Sequence, residues 1–119
     1  MLQLFYYSKC GTCRKAEKWL KDNRIHFEYR NIIEQRPTSE EIKNWIKLTQ
    51  LPINKFFNTS GLLYRELNMK EKIKSLNSEE LISIVASNGL LVKRPILIDP
   101  TNNNILIGFN QDEWEMKLK

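Results

Sequence analysis

The chain has 119 residues and a net charge of +5, with 41% hydrophobic and 28% charged residues. This length suits one domain with a core of its own, and the composition is typical of a soluble globular protein. No run approaches the roughly 18 consecutive apolar residues of a membrane span, and the N-terminus lacks the features of a signal peptide. We therefore expect a single cytoplasmic domain, monomeric and without membrane contact.

The positive charge is spread along the whole chain rather than collected in one segment. There are 19 Lys and Arg residues, with no block of five like charges and no nucleic-acid-binding motif. Direct nucleic-acid binding is not expected. The basic residues then form a solvated surface, or they face an acidic protein or an anionic small substrate, or they give a weak affinity for nucleic acid.

The first third of the chain predicts a strand, a helix and a second strand. Leu2–Tyr7 is a mostly apolar run that fits a strand buried on both faces. A helix is predicted from Thr12 to about Asn23, because its apolar residues follow helical spacing. Residues 25–32 alternate apolar and polar side chains, as a strand does. Two strands joined by one helix indicate a parallel β-α-β unit.

The middle of the chain predicts helices with well-marked starts. Thr38 with Glu41, and Asn77 with Glu80, have the spacing of capping boxes. A shorter helix is predicted near residues 61 to 67. Gly89 is placed to end the helix that begins after Asn77.

The last third predicts a β-hairpin and a closing helix. The runs at 94–98 and 105–109 are strand-like and flank a segment rich in turn formers. Asn110 is the predicted cap of the final helix, with Glu113 three residues later. The complete order, β-α-β, helical insertion at about 38–90, then β-β-α, predicts an α/β thioredoxin-like fold with a mixed four-stranded sheet.

Cys10 and Cys13 form a C-x-x-C pair at the junction of the first strand and helix. A structural zinc site needs four ligands, whereas the chain has two Cys and one His, so only a zinc shared between two chains would fit. We expect no metal. Two cysteines used only as small apolar residues are the other alternative, but a C-x-x-C at such a junction indicates thioredoxin-like redox chemistry.

The position of each cysteine predicts its role. Cys10 lies at the mouth of the helix, where unpaired N–H groups and the helix dipole favour a thiolate. Lys9, Arg14 and Lys15 add positive charge nearby. Cys13 shares the apolar face of the helix, so we expect Cys10 to be the nucleophile and Cys13 the resolving thiol.

Arg94 and Pro95 form the second candidate feature. Pro95 begins a strand, where the missing N–H is tolerated, so a plain strand start is one interpretation. In a thioredoxin-like fold, a proline here is usually cis and faces the cysteine pair, and its neighbouring backbone can pair with an extended substrate. Arg94 would then project toward Cys10 and supply charge for a thiolate or an oxyanion.

Four segments together resemble the arsenate reductase-like family: the early C-x-x-C, "NTSGLLYREL", "LLVKRPILI" and "ILIGF". The family includes glutaredoxin-type arsenate reductases, Spx-type transcription regulators and small uncharacterised thiol proteins, and the last group is the most similar. The resemblance spans nearly the whole chain. It implies a thioredoxin fold with a helical insertion and a cis proline at Pro95.

Each branch of the family implies a different use of the site. In arsenate reductases, three arginines surround the nucleophilic cysteine, which matches Cys10. Arg94 matches one of these arginines. Asn58 stands near the second position, and Gly108 with Phe109 stands near the third. Spx-type regulators use C-x-x-C as a redox switch and bind the C-terminal domain of the RNA polymerase α subunit. Glutathione or a thioredoxin system would supply the electrons that reduce the cysteine pair.

The sequence therefore predicts a cytosolic thiol–disulfide redox protein, an oxidoreductase with no tightly bound cofactor. The alternatives are an Spx-type redox-sensing regulator that binds RNA polymerase α and a glutathione- or glutaredoxin-dependent arsenate reductase. Beside the two cysteines, the residues expected to contact the substrate are Arg94, Pro95, Thr12 and Asn58.

Overall fold

Six helices and four strands form the regular structure of the chain. The computed structural model describes residues 1–119. In chain order the elements are β1 (Leu2–Tyr6), α1 (Gly11–Asp22), β2 (Phe27–Asn31), α2 (Ser39–Thr49), α3 (Leu62–Glu66), α4 (Met69–Ser75), α5 (Ser78–Ser87), β3 (Ile96–Asp99), β4 (Asn104–Ile107) and α6 (Gln111–Leu118), with 3₁₀ turns at Ile53–Phe56 and Gly89–Leu91.

The chain divides into two compact units. We call them the sheet unit, Met1–Asn31 with Arg94–Lys119, and the helical unit, Ile32–Lys93. None of the helices has the length and apolar character that crossing a lipid bilayer requires.

The sheet of the sheet unit is mixed and four-stranded, as the sequence predicts. The strands lie in the order β2-β1-β3-β4. β1 pairs with β2 in parallel, and the antiparallel hairpin of β3 and β4 pairs with the other edge of β1. Because β1 is central, its adjacent residues Leu4 and Phe5, which point to opposite faces, are both fully buried. β2 is an edge strand and begins at Phe27 rather than at residue 25.

The core of the sheet unit joins α1 and α6 to one face of the sheet. Its fully or nearly fully buried members are Leu4, Ala16, Trp19, Leu20, Leu97, Leu106 and Trp114. The Trp19 and Trp114 rings meet edge to face with centroids 6.1 Å apart, and Phe109 approaches Trp114 to 4.8 Å. Such aromatic pairs add to the stabilisation that burial alone provides. This packing holds α1, and with it the C-x-x-C segment, against β1.

The helical unit confirms both predicted capping boxes. Thr38 Oγ1 accepts the Glu41 N–H at 3.1 Å, and the Glu41 carboxylate accepts the Thr38 N–H at 3.0 Å. Asn77 and Glu80 make the same reciprocal pair at the start of α5. Each box satisfies two backbone donors that would otherwise have no intrahelical partner.

The region after residue 61 differs from the prediction of one short helix. α3 ends at Glu66, Asn68 adopts a left-handed conformation with φ of 54°, and α4 follows at once. The sequence prediction missed α4. Its single fully buried residue, Met69, leaves almost no apolar stripe to read.

α5 ends close to Gly89, as the sequence predicts, but Gly89 does not end it through a left-handed conformation. α5 ends at Ser87, and Asn88 is extended with φ of −154°. Gly89 instead lies against the backbone of Ile32, where an added Cβ would stand 1.9 Å from the Ile32 carbonyl oxygen. The glycine is needed for close approach of two backbone segments rather than for its conformational freedom.

We expect Gly89→Ala to destabilise the protein, by about 1–3 kcal/mol, because a carbonyl oxygen cannot move aside as a flexible side chain can. Denaturant unfolding of the reduced protein measures this change. Gly11→Ala is the matched control, since the nearest atom to its added Cβ is Arg14 Nη2 at 3.9 Å. Equal stability of the two variants would contradict the assigned role of Gly89.

Candidate functional site

Cys10 is the N-cap residue of α1. Its backbone is extended, with φ of −102° and ψ of 114°, and its Sγ accepts the Cys13 N–H at 3.3 Å. Its own N–H donates to the Tyr7 carbonyl at 3.0 Å, and its carbonyl accepts the Arg14 N–H at 3.1 Å. The first turn of α1 contains no acidic residue. The sulfur therefore occupies the position in which helix N–H groups and the helix dipole favour negative charge.

Cys13 lies one turn further along and is fully buried, in the same stripe as Ala16 and Leu20. Cys10 is only partly buried, and both thiols are free. The sequence predicted this difference in exposure, because position 13 falls on the apolar face of the helix.

Arg94 and Pro95 reach the site from the start of β3. The Arg94–Pro95 peptide bond is cis, as the resemblance implied. Pro95 is buried, and its carbonyl accepts the Gly108 N–H at 2.7 Å. Ile96 then pairs with Phe5 of β1, so the β1–β3 ladder brings Arg94 to the end of β1 that carries the cysteines.

The Arg94 guanidinium is held over an aromatic ring. Its Cζ lies 4.9 Å from the centroid of the Tyr7 ring, and its Nη1 is buried without a hydrogen-bond partner. Arg14, which the sequence also placed near the thiolate, donates instead to the Ser8 carbonyl at 2.7 Å. Arg94 is thus a cation that acts on Cys10, and both its hydrogen bond and its charge lower the pKa of that thiol.

The two thiols have opposite pKa shifts. Partial burial would raise the pKa of Cys10, but hydrogen bonds from the Cys13 side chain and backbone and from Arg94, with the Arg94 charge, outweigh it and lower that pKa. Burial, followed by the hydrogen bond that the Cys13 thiol makes to Cys10 and the charge of Cys10, raises the pKa of Cys13 to about 12. The site therefore favours the thiolate form at Cys10 and the protonated thiol at Cys13.

The remaining predicted contact residues lie in different parts of the chain. Thr12 is exposed in the first turn of α1, between the two cysteines. Asn58 belongs to the helical unit, where its side-chain amide donates to the Leu90 carbonyl at 3.4 Å and its N–H donates to the Leu91 carbonyl at 2.8 Å. The sheet unit thus brings together Cys10, Cys13, Arg94, Pro95 and Thr12.

The site also contains a residue that the sequence prediction assigned only to a strand. Tyr7 follows the last residue of β1, and it contacts Cys10 through its carbonyl and Arg94 through its ring. An aromatic residue three positions before the first cysteine is a weak signal by itself. Only the placement of β3 beside β1 gives that ring a cation to face.

Comparison with known proteins agrees with this geometry. The ArsC family model matches residues 5–116. The protein YusI of Bacillus subtilis (strain 168), named as uncharacterised, is 43% identical over 114 residues, covering 96% of this chain and 95% of its own. The global transcriptional regulator Spx of Staphylococcus aureus is 36% identical over 113 residues, covering 95% of this chain and 83% of its own.

A solved structure supports the fold in detail. The crystal structure of an ArsC family related protein from Bacteroides fragilis superposes with a TM-score of 0.93 at 46% identity, covering 99% of this chain and 97% of that one. The fold is therefore the α/β, thioredoxin-like fold of these proteins, with the C-x-x-C at the start of α1. The chain belongs to the ArsC family, as a thiol redox protein of that family.

Proposed function

We propose that the protein is a thiol–disulfide oxidoreductase in which Cys10 attacks a substrate disulfide and Cys13 resolves the product. The observation that carries this proposal is the placement of two free thiols one helical turn apart: Cys10 is the partly buried N-cap whose sulfur accepts the Cys13 N–H at 3.3 Å, and Cys13 is fully buried. The same surroundings lower the pKa of Cys10 and raise that of Cys13 to about 12. A nucleophilic thiol must be ionised, and a resolving thiol must stay protonated until it is needed.

In the first step, the Cys10 thiolate attacks one sulfur of the substrate disulfide. A bond forms between Cys10 Sγ and that sulfur, the substrate S–S bond breaks, and the other half leaves as a thiolate that takes a proton from water. Arg94 and the Cys13 N–H stabilise the charge on Cys10 before attack. The backbone beside Pro95 is proposed to pair with an extended substrate.

In the second step, Cys13 attacks Cys10 Sγ and expels the bound half of the substrate. The charge of Cys10 and the hydrogen bond to its sulfur are two causes of the raised Cys13 pKa, and both are lost once Cys10 is in a mixed disulfide. Cys13 then gives its proton to solvent more easily. The products are a Cys10–Cys13 disulfide and two substrate thiols. Glutathione or a thioredoxin-type dithiol is the proposed reductant that restores the pair.

Two variants that each keep one of the two cysteines should react differently with oxidised glutathione. After addition of oxidised glutathione at pH 7, we expect Cys13→Ser to gain one stable glutathionyl group, since nothing resolves the mixed disulfide. Cys10→Ser should stay unmodified, because its remaining thiol is fully buried. Intact-mass spectrometry reads both results directly, as the chain contains no other cysteine. Faster modification of Cys10→Ser would reverse the assigned roles.

Removal of Arg94 should raise the pKa of Cys10. The background is Cys13→Ser, which keeps a hydroxyl donor at position 13. The rate of Cys10 alkylation by iodoacetamide is expected to rise with pH, and the midpoint of this rise should lie below the ordinary thiol pKa of about 8.5. Arg94→Gln should move this profile to higher pH and slow the reaction at pH 6 several-fold. The reason is that the thiolate fraction there falls about tenfold when the pKa rises by about one pH unit.

Arg14→Gln is the charge-matched control for this experiment. It removes the same charge from a neighbouring position, but the Arg14 guanidinium donates to the Ser8 carbonyl, whereas Arg94 is a main cause of the lowered pKa of Cys10. A profile that moves equally in both variants would show that Arg94 acts only through net charge.

A redox-sensing regulator is the second candidate function, favoured by the similarity to the Staphylococcus aureus transcriptional regulator along nearly the whole chain. The partner would be the C-terminal domain of the RNA polymerase α subunit, as the resemblance to Spx-type regulators implies. Formation of the Cys10–Cys13 disulfide would remove the thiolate from Arg94 and so change the charge at the site.

Binding of the isolated polymerase domain tests this candidate. We expect NMR shifts on titration into the oxidised protein, and weaker shifts with the Cys10→Ser/Cys13→Ser double variant, which cannot form the disulfide. An absence of shifts in both proteins would remove the regulator from consideration.

Arsenate is not proposed as a substrate. Arsenate reductases surround their nucleophile with three arginines, as the family resemblance implies, and here Gly108 and Phe109 stand near one of those positions. Gly108 has φ of 74°, a conformation that favours glycine, and Phe109 packs on Trp114 with centroids 4.8 Å apart. Neither residue supplies a charge for an oxyanion.

A further inference from the structure

We infer that Tyr7 is a positioning residue of the thiol site, whose aromatic ring holds the Arg94 guanidinium against the Cys10 thiolate. This inference rests on the proposed function, because it concerns the thiolate that attacks the substrate. It assigns a role to a side chain that touches no substrate in the proposed reaction and that acts through Arg94.

The first argument is the position of the ring. Tyr7 is half-buried, and the centroid of its ring lies 4.9 Å from Arg94 Cζ. A cation over an aromatic face is attracted by the negative face of the ring, and guanidinium groups stack well in this arrangement. The ring therefore gives the guanidinium a preferred plane and position.

The second argument is that no carboxylate of the sheet unit anchors the Arg94 guanidinium. Its Nη1 is buried and has no hydrogen-bond partner, and within the sheet unit no carboxylate pairs with it. Asp99 is occupied by the Asn102 side chain at 2.9 Å, and Glu17 accepts the hydroxyl groups of Tyr6 and Tyr29. An arginine that no carboxylate anchors would lose its alignment with Cys10 if the ring were removed.

The third argument is the backbone of Tyr7, which is tied to both cysteines. Its carbonyl accepts the Cys10 N–H at 3.0 Å, and its backbone lowers the pKa of Cys13. Tyr7 follows β1, which is paired with β2 on one side and β3 on the other. The ring under Arg94 thus belongs to the same rigid segment that sets the position of both thiols.

The phenolic hydroxyl takes no part in this role. No hydrogen bond of the Tyr7 hydroxyl is present in the structure, whereas those of Tyr6 and Tyr29 both donate to Glu17. The aromatic face alone should be sufficient. Tyr7→Phe keeps the aromatic face and Tyr7→Leu removes it, so the two substitutions should have different effects.

The test measures the pH profile of Cys10 alkylation by iodoacetamide in the Cys13→Ser background. We expect Tyr7→Phe to keep the midpoint of the parent, and Tyr7→Leu to move it upward toward that of Arg94→Gln, with a several-fold slower reaction at pH 6. The double variant Tyr7→Leu/Arg94→Gln should show no further shift, because both changes remove the same interaction.

A fluorinated ring separates electrostatics from packing and does not depend on the folding of the leucine variant. Pentafluorophenylalanine at position 7 keeps the shape of phenylalanine but removes the negative face of its ring, so it should raise the midpoint as Tyr7→Leu does. Tyr29→Leu is the control, since it removes a ring that lies beneath the Lys21 ammonium at 5.9 Å and has no contact with either cysteine or Arg94. Its profile should match that of the parent.

The outcomes distinguish this inference from the proposed function. If the midpoint of the parent profile equals an ordinary thiol pKa and Arg94→Gln does not change it, the proposed function fails and the role of Tyr7 fails with it. If Arg94→Gln raises the midpoint while the leucine and pentafluorophenylalanine substitutions leave it unchanged, only the role of Tyr7 is overturned.

Discussion

The structure depends on the stabilisation of a partly buried negative charge at Cys10. Burial opposes ionisation of a thiol, so donors and cations must outweigh it if the thiolate is to form near neutral pH. Here the Cys13 N–H, the Cys13 thiol and Arg94 supply that stabilisation from three directions. Two of these donors belong to α1, one to its backbone and one to its buried stripe, and the third belongs to the segment that leads into β3.

That constraint also explains why we propose different roles for the two cysteines. The N-cap position exposes one sulfur to N–H groups of the helix and to substrate, whereas the position three residues later faces the core formed with Ala16 and Leu20. A single short motif therefore produces two thiols of opposite character. Burial, with the hydrogen bond to Cys10 and the charge of Cys10, keeps Cys13 protonated, and in the proposed reaction this couples the order of the two chemical steps to the state of the first thiol.

Much of the fold could be predicted from the sequence because the relevant signals are local. Capping boxes at Thr38 and Asn77, apolar spacing along α1, and turn formers between β3 and β4 each depend on residues within a few positions of one another. The features that the sequence did not reveal depend on distant contacts or on weak patterns. Gly89 is required by the carbonyl of Ile32, which is far away along the chain, and α4 buries one residue only.

The sequence by itself determined that a C-x-x-C pair stands at the mouth of a helix, which of its thiols is sheltered, and that an arginine precedes a strand-starting proline. It placed Lys9, Arg14, Lys15 and Arg94 all near Cys10 and could not rank their effects on the thiol. The tertiary structure decided this through the pairing of β3 with β1, which brings Arg94 over the Tyr7 ring and beside the thiolate. The physical reason is that helix and cap formation are short-range, whereas the alignment of a cation with a buried charge depends on how strands far apart in sequence come together.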